Sequence, residues 1–429
     1  RHDGSSRFAK GYRWGTFPSF SAGWVASEEK FMKNLKWDWL SFLKLRGSWG
    51  MLGNERIGSN YFPYIALMSF GNSLFYMADG SVVSDKTARP AVLAVEDITW
   101  ETTTSTDLGL DVNFLNNRLQ FHFDYYWKET KDMLLNIEIP YFMGYNNPST
   151  NAGKMSTHGY DIEVAWNDQI GDFKYGVNVN FSDFLSKIDY MNDGEQISGG
   201  KIKRAGVLFN EFYGYVCEGI YQTQEEVNNS ARTSTTVTVG DLKYRDISGP
   251  DGVPDGVISP EYDRVPLGNS LPRFQYGGSL NASYKGIDFS LAFQGIGKQN
   301  SYLSTSMVQP LRDNYGNVPA ILEGKYWSPF NTTEENLAAK YPRLSNVSKS
   351  NNYATSNFWM FNGSYFRLKN ITLGYTLPKS WTQKAGINRA RFYVSGSDLF
   401  CLSNFPSGWD PEMGTSDYPI TTSLVTVSY

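Results

Sequence analysis

Leu119-Gln120-Phe121-His122-Phe123-Asp124-Tyr125-Tyr126-Trp127 alternates without a break. Leu119, Phe121, Phe123, Tyr125 and Trp127 fall on one face, and Gln120, His122, Asp124 and Tyr126 on the other. Successive side chains of a β-strand point to opposite faces, so this period of two reads as a strand with one apolar and one polar side. Just upstream, Leu108, Leu110, Val112 and Phe114 lie opposite Asp107, Gly109, Asp111 and Asn113. Downstream, Tyr160, Ile162, Val164 and Trp166 lie opposite Asp161, Glu163, Ala165 and Asn167, and Phe173, Tyr175, Val177, Val179 and Phe181 alternate with Lys174, Gly176, Asn178, Asn180 and Ser182. Such strands are not the short, doubly buried runs of a parallel sheet.

The connections sort into two kinds. Asn116-Asn117 joins two of these strands directly, a spacing suited to a type I′ hairpin. Asp168 to Gly171 and Lys285-Gly286 make two more tight reversals. Gly53 to Thr99, Asp189 to Leu271 and Gln299 to Asn357 are long and rich in Gly, Asn, Ser and Asp. Short turns at one rim and long loops at the other are the pattern of a transmembrane β-barrel. On this reading strands are predicted near 13–26, 40–52, 100–115, 118–131, 153–167, 172–188, 273–285, 287–298, 361–376, 389–401 and 421–429, about eleven in all. One helical turn is expected at Ser27 to Asn34, with Ser27 as cap and Glu28 and Glu29 at the positive end of its dipole. A soluble β-sandwich also alternates, but its strands usually run about 5–6 residues and its loops do not segregate by length. The chain reads as one all-β domain over residues 1–429.

Composition agrees with a barrel. The 429 residues include 28 Tyr, 27 Phe and 12 Trp in a chain of polar mean hydropathy. Apolar outer faces, polar lumens and aromatic girdles produce that combination. No apolar run of eighteen residues offers a helical span. A net charge of -4 gives no electrostatic ground for nucleic-acid binding. Cys217 and Cys401 make no disulfide framework; they form either one bridge or two thiols. No signal peptide opens the chain, and Arg1-His2-Asp3-Gly4-Ser5-Ser6-Arg7-Phe8 reads like the middle of a hairpin, so the expectation is a longer protein beginning upstream.

A family resemblance adds what periodicity cannot. Arg1 to Phe8, Arg13-Trp14-Gly15-Thr16-Phe17-Pro18-Ser19 and Ser21-Ala22-Gly23-Trp24 resemble the mid-barrel signature of SusC/RagA-type TonB-dependent transporters. Leu43-Lys44-Leu45-Arg46-Gly47-Ser48-Trp49-Gly50, Trp100-Glu101-Thr102-Thr103, Asp107-Leu108-Gly109-Leu110-Asp111 and Asn151-Ala152-Gly153-Lys154-Met155 continue the likeness in order. So do Gly363-Ser364-Tyr365-Phe366-Arg367-Leu368-Lys369-Asn370, Tyr393-Val394-Ser395-Gly396-Ser397-Asp398 and Asp410-Pro411-Glu412. The resemblance implies a 22-stranded barrel around an N-terminal plug, of which this chain supplies the last eleven strands and neither plug nor TonB-contacting segment. Val425, Val427 and the terminal Tyr429 would then face outward on the closing strand, with Tyr429 read by the insertion machinery or belonging to the lower girdle. An open half-barrel would leave backbone unpaired in lipid, so the remaining strands are expected elsewhere.

Candidate chemistry is sparse. His2, His122 and His158 are isolated, no hydrolase or zinc motif appears, and His122 is expected to be solvated barrel lining. Catalytic residues and cofactors are expected to be absent. Asp246-Ile247-Ser248-Gly249-Pro250-Asp251-Gly252-Val253-Pro254-Asp255-Gly256-Val257-Ile258 places Asp246, Asp251 and Asp255 as candidate calcium ligands, because clustered carboxylates around a glycine turn suit a hard cation. The spacing is broken by an extra residue, and an Asp/Gly-rich turn held by side-chain to backbone bonds fits the same segment. Phe75, Tyr76, Tyr213, Tyr215, Trp327, Trp359 and Trp409 are rings of the long loops, able either to stack on sugar faces or to pack loop against loop.

The resemblance implies active import of an oligosaccharide, with a RagA-type peptide importer and a passive porin as alternatives. It implies a SusD-like surface lipoprotein capping the outer side, the TonB-ExbB-ExbD complex acting through the absent N-terminal region, outer-membrane lipid around the wall, and dimers of transporter–lipoprotein pairs. An enzyme or adhesin barrel would need a site that the residues do not offer.

Overall fold

The structure, a computed structural model, describes residues 1–57, 61–137, 139–192, 194–304, 309–311, 318, 320–347, 349–406, 409–413 and 424–428. Its main feature is one sheet of eleven strands, and the strands lie side by side in chain order. They are β1 (Ser19–Val25), β2 (Leu40–Asn54), β3 (Glu101–Phe114), β4 (Leu119–Asn136), β5 (Ser149–Ile170), β6 (Phe173–Met191), β7 (Arg273–Tyr284), β8 (Ile287–Lys298), β9 (Tyr365–Thr376), β10 (Arg391–Ser403) and β11 (Leu424–Ser428). Strand number, order and alternation match the sequence reading. Register keeps like with like: Leu45 faces Leu110, Lys44 faces Asp111, and Asp111 faces His122 across an antiparallel ladder. A one-residue slip would turn every charged side chain to the apolar face, so the pattern fixes the pairing.

That apolar face is exposed. Phe20, Trp24, Leu45, Leu108, Val177, Phe392 and Val394 all stand out from the sheet with much of their surface uncovered. Among the described residues no helix is long and apolar enough to cross a membrane.

Several boundaries differ from expectation, each for a local reason. β1 starts at Ser19 rather than near 13, because Pro18 has no N–H to give the ladder, and Trp14–Thr16 pairs with His2–Gly4 instead. β9 starts at Tyr365, since Met360–Asn362 pairs with Asn300–Tyr302 outside the main sheet. The hairpin at Asn116-Asn117 is wider than two residues: the strands stop at Phe114 and Leu119, and Leu115, Asn116 and Asn117 all take positive φ. The reversal placed at Asp168 to Gly171 is tighter, with β5 running to Ile170 and Gly171 at φ 60°. Lys285-Gly286 turns as expected, at φ 45° and 91°. The helical turn splits into a 3-10 turn at Ala26–Glu28 and a helix at Lys30–Asn34, whose N-cap is Glu29, so Ser27 does not cap it. Tyr429 lies outside the described residues.

The long connections are not loose. Leu67–Tyr76 and Val82–Val92 form a hairpin, Glu211–Tyr215 pairs with Arg264–Asn269, and Cys217–Ile220 pairs with Leu242–Tyr244. A capping box starts the helix at Thr333–Leu337, with the Thr332 hydroxyl accepting from the Glu335 amide at 3.2 Å and the Glu335 carboxylate accepting from the Thr332 amide at 2.7 Å. The chain divides into two compact units, Arg1–Ile162 with Phe184–Gln196 and Lys203–Phe209, and Glu163–Asp183 with Ile197–Ile202 and Asn210–Tyr429. The first has a small core of Phe8, Phe17, Ile57, Ile98 and Trp100. The second has a larger one, of Tyr215, Leu242, Tyr244, Ile258, Leu303, Trp359, Phe405 and Trp409, drawn from its long connections.

Candidate functional site

The polar face of the first unit is organised around Arg46. On β2 it sits opposite Gly109 of β3, and Gly109 in turn sits opposite Asp124 of β4. The guanidinium lies over the glycine. Its Nε donates to both oxygens of Asp111 at 3.1 and 3.0 Å, and its Nη2 donates to Asp124 Oδ2 at 2.8 Å. A Cβ on Gly109 would stand 2.6 Å from Arg46 Cζ and 2.6 Å from Asp124 Oδ1, so only glycine leaves room for the crossing. His122 Nδ1 lies 3.0 Å from Asp111 Oδ1. His122 stands on the polar face, its side chain 39% exposed, and also engages Asp111.

The second unit repeats the device. Arg391 of β10 passes over Gly374 of β9 to Asp288 of β8, with Nε to Oδ1 at 2.9 Å and Nη2 to Oδ2 at 2.5 Å. A Cβ on Gly374 would come within 2.6 Å of Arg391 Nη2. Farther along β9, Arg367 is 3% exposed and holds Asp410 at 2.5 Å and Glu412 at 3.2 Å. Lys369 completes the group, 2.7 Å from Asp398 and 3.0 Å from Glu412. Bidentate and charge-assisted bonds of this kind orient side chains strongly, which a lone exposed pair at about 0–1 kcal/mol does not. These networks tie segment 409–413 against the polar face of β9.

The candidate calcium ligands do not gather. Asp246 Oδ2 accepts the Gly256 amide at 2.7 Å and Asp255 Oδ1 accepts the Val257 amide at 3.0 Å, while Asp251 lies exposed. Asp263, not singled out in the sequence, takes the amides of Ile247 and Ser259, each at 2.7 Å. Among the described residues no group of three or more His, Cys, Asp or Glu is arranged to hold a metal. Asp246, Asp255 and Asp263 act here as turn-closing acceptors.

Five of the seven loop rings, Tyr213, Tyr215, Trp327, Trp359 and Trp409, are buried. Trp359 is wholly enclosed and its Nε1 donates to the Asn352 carbonyl at 2.8 Å. They pack loop against loop and present no face to a sugar. Phe75 and Tyr76, at 45% and 84% exposed on the Leu67–Tyr76 strand, remain open. Cys217 and Cys401 are free thiols. Burial pushes the Cys217 thiol up to about 11 and raises the Tyr244 phenol well above its ordinary range.

An exposed apolar face, a charged and amide-bearing opposite face, and consecutive antiparallel strands agree with one comparison. The family described as TonB dependent receptor-like, beta-barrel, matches residues 1–395. The chain belongs to this family. A TonB-dependent receptor of Formosa agariphila is 32% identical over 96% of the chain and 40% of its own length. TonB-dependent receptor SusC of Bacteroides thetaiotaomicron is 30% identical over 96% of the chain and 39% of its own length. Among solved structures the RagAB peptide transporter superposes with a TM-score of 0.75 at 24% identity, over 98% of the chain and 43% of that chain. The chain thus spans about two fifths of the length of the curated relatives it matches. As a TonB-dependent receptor barrel it resides in the outer membrane. Its apolar face is the lipid side, and Arg46, Arg367 and Arg391 stand on the lumenal side.

The charged crosspieces were not found from sequence. Their signal was present, as glycine between polar-face Asp and Arg positions of successive strands, but it appears only once register is known.

Proposed function

We propose that this barrel works in TonB-dependent import of an oligosaccharide across the outer membrane, together with a SusD-like surface lipoprotein. The observation that carries the proposal is the match to the TonB-dependent receptor barrel over residues 1–395. The resemblance to SusC/RagA-type transporters, which implies oligosaccharide import, supports the glycan reading, and so does a lumenal face bearing the amides of Asn178, Asn180, Gln275 and Gln294. The RagAB likeness is one of fold and does not choose between sugar and peptide. Import of this kind needs no covalent step: a ligand is captured on one side, and a driven conformational change releases it on the other.

The test is uptake of fluorescent oligosaccharides by cells carrying the full-length gene, with and without an intact tonB. Uptake that stops without TonB is expected. Persistence would instead identify a passive porin, and uptake of peptides alone would replace the glycan reading with the peptide one.

A further inference from the structure

The short-turn rim of the second unit carries one segment unlike the tight reversals beside it. Residues 377–390 join β9 to β10 through a helical turn at Lys379–Thr382 and a 3-10 turn at Gln383–Ala385. The segment closes on itself: the Leu377 amide donates to the Ala390 carbonyl at 2.9 Å, and the Ile387 amide to the Thr382 carbonyl at 3.0 Å. Gly386, at φ 72°, reverses the chain between Thr382 and Ile387. Thr382 is buried, whereas Trp381 is 63% exposed and Ile387 47%.

This segment continues the lipid-facing wall. Tyr284 of β7 faces Ile287 of β8, Ile287 faces Tyr375 of β9, and Tyr375 faces Phe392 of β10, a row of four exposed side chains beside the rim. β9 and β10 each pair on both sides, so the exposure belongs to a complete stretch of wall and not to a sheet edge. The charge of the segment is one-sided. Residues 377–390 hold Lys379, Lys384 and Arg389 and no Asp or Glu. All three cations are exposed, and among the described residues none takes part in an ion pair. Asp288, the acid whose field reaches Arg389, is already bonded by Arg391. Residues 26–39 in the first unit, the other helical connection between neighbouring strands, are balanced instead. There Glu28, Glu29 and Asp38 offset Lys30, Lys33 and Lys36, and Lys33 sits on Glu28 at 2.6 Å.

We propose that residues 377–390 bind the anionic headgroup of a phospholipid in the periplasmic leaflet, with Lys379, Lys384 and Arg389 on the headgroup and Trp381 and Ile387 at the acyl boundary. Short turns are the periplasmic ends of a transmembrane barrel, and the long connection 299–364 leaves β8 and enters β9 at the opposite end. An exposed ring and aliphatic side chain beside several cations is the composition that holds a short amphipathic segment in a headgroup layer. Each Lys or Arg near an anionic surface adds to the attraction, and three with no acid among them all act in the same sense. A zwitterionic headgroup brings its own cation and forfeits that gain. Lipid is also the occupant continuous with the Tyr284–Phe392 row, which already faces the membrane. The assignment does not depend on what the barrel imports.

The experiment uses the full-length receptor purified in detergent, unaltered and as Lys379→Gln/Lys384→Gln/Arg389→Gln, with heat-modifiable migration as the check on folding. Native mass spectrometry reads the fraction of protein that retains lipid as phosphatidylglycerol or phosphatidylethanolamine is titrated in. Unaltered protein should retain phosphatidylglycerol about tenfold or more better than phosphatidylethanolamine, and the triple variant should lose most of that preference. Each single replacement should take a share of it, which keeps the test open if the triple variant does not fold. Trp381→Ala should weaken retention of both lipids together, and Lys30→Gln/Lys33→Gln/Lys36→Gln should leave the preference as it is. Equal retention of the two lipids by unaltered protein, or a preference that survives the charge replacements, overturns the headgroup site. An equal loss in the Lys30, Lys33 and Lys36 variant overturns its assignment to residues 377–390. Unchanged retention of both lipids in Trp381→Ala overturns the role of the ring.

Discussion

Arg46 bonds Asp124 from two strands away, Nη2 to Oδ2 at 2.8 Å, by lying across Gly109 of the strand between them. Each cross-strand neighbour on a sheet is about 5 Å away, so a side chain that reaches the strand beyond must pass over the middle residue. Only a residue without Cβ allows that passage. Gly109→Ala should therefore displace the guanidinium, at a cost of roughly 1–3 kcal/mol. Gly47→Ala is the internal comparison, because a Cβ there meets its nearest neighbour at an ordinary 3.5 Å. Thermal unfolding of the two variants in the full-length protein checks the idea; equal midpoints would sink it.

A crosspiece of this type also predicts non-additivity. Arg46→Ala leaves Asp111 and Asp124 facing each other without their shared cation, and Asp124→Ala leaves Arg46 still held by Asp111. The first should destabilise more than the second, and the double variant less than their sum. Additive losses in denaturant unfolding would show that the two side chains act independently.

How much of this was legible beforehand follows from what alternation encodes. Strands such as Leu119–Asn136 announce themselves, because a membrane wall demands one apolar face along its whole length. The connections gave less away. Leu67–Tyr76 with Val82–Val92 and Cys217–Ile220 with Leu242–Tyr244 are short pairs inside loops, where neither face meets lipid and no long periodicity is imposed. Trp359 could be placed in a loop but not in its core, since burial there depends on segments 100 or more residues apart, as in the Leu242 amide bonding the Asn352 carboxamide. A separation of 43 residues likewise hid the pairing of Arg367 with Asp410.

The loop core has its own stability. Trp359 fills it completely, and Tyr215, Tyr244 and Phe405 share the cluster. Trp359→Ala should cost about 3–5 kcal/mol locally, with little effect on the sheet. Limited proteolysis should then cut within residues 210–269 or 320–347 while the barrel still migrates as a folded band. A barrel that unfolds along with the loops would contradict the separation.

Cys217 gives a pH dependence with a definite sign. Burial raises its thiol from 9.0 to about 11, so the folded state favours the protonated form more than the unfolded chain does. Its contribution is complete below about pH 9 and is lost as pH rises through 11, amounting to about 3 kcal/mol. Cys217→Ala should flatten that alkaline decline. In the native protein the same thiol should react with iodoacetamide at pH 8 far more slowly than in urea. Equal rates in the two states would mean the side chain is not shielded.

Arg367 and Asp410 test how the last described loop segment is held. Arg367 is almost wholly buried, and its partners Asp410 and Glu412 follow Trp409, which packs into the loop core. Removing the cation strands two carboxylates away from bulk water, a loss of about 3–5 kcal/mol for a buried pair broken on one side. Lys369 can relieve only Glu412, at 3.0 Å, because its other contact is Asp398. Arg367→Met should therefore release segment 409–413 and open it to protease. Adding Asp410→Asn and Glu412→Gln to Arg367→Met removes the uncompensated charge and should recover part of the protection. High salt should affect the native clamp far less than the exposed Arg1–Asp3 pair, because screening acts weakly on buried charges. If the triple variant is cut as readily as Arg367→Met, the segment is held by Trp409 and its packing, and the charges are incidental.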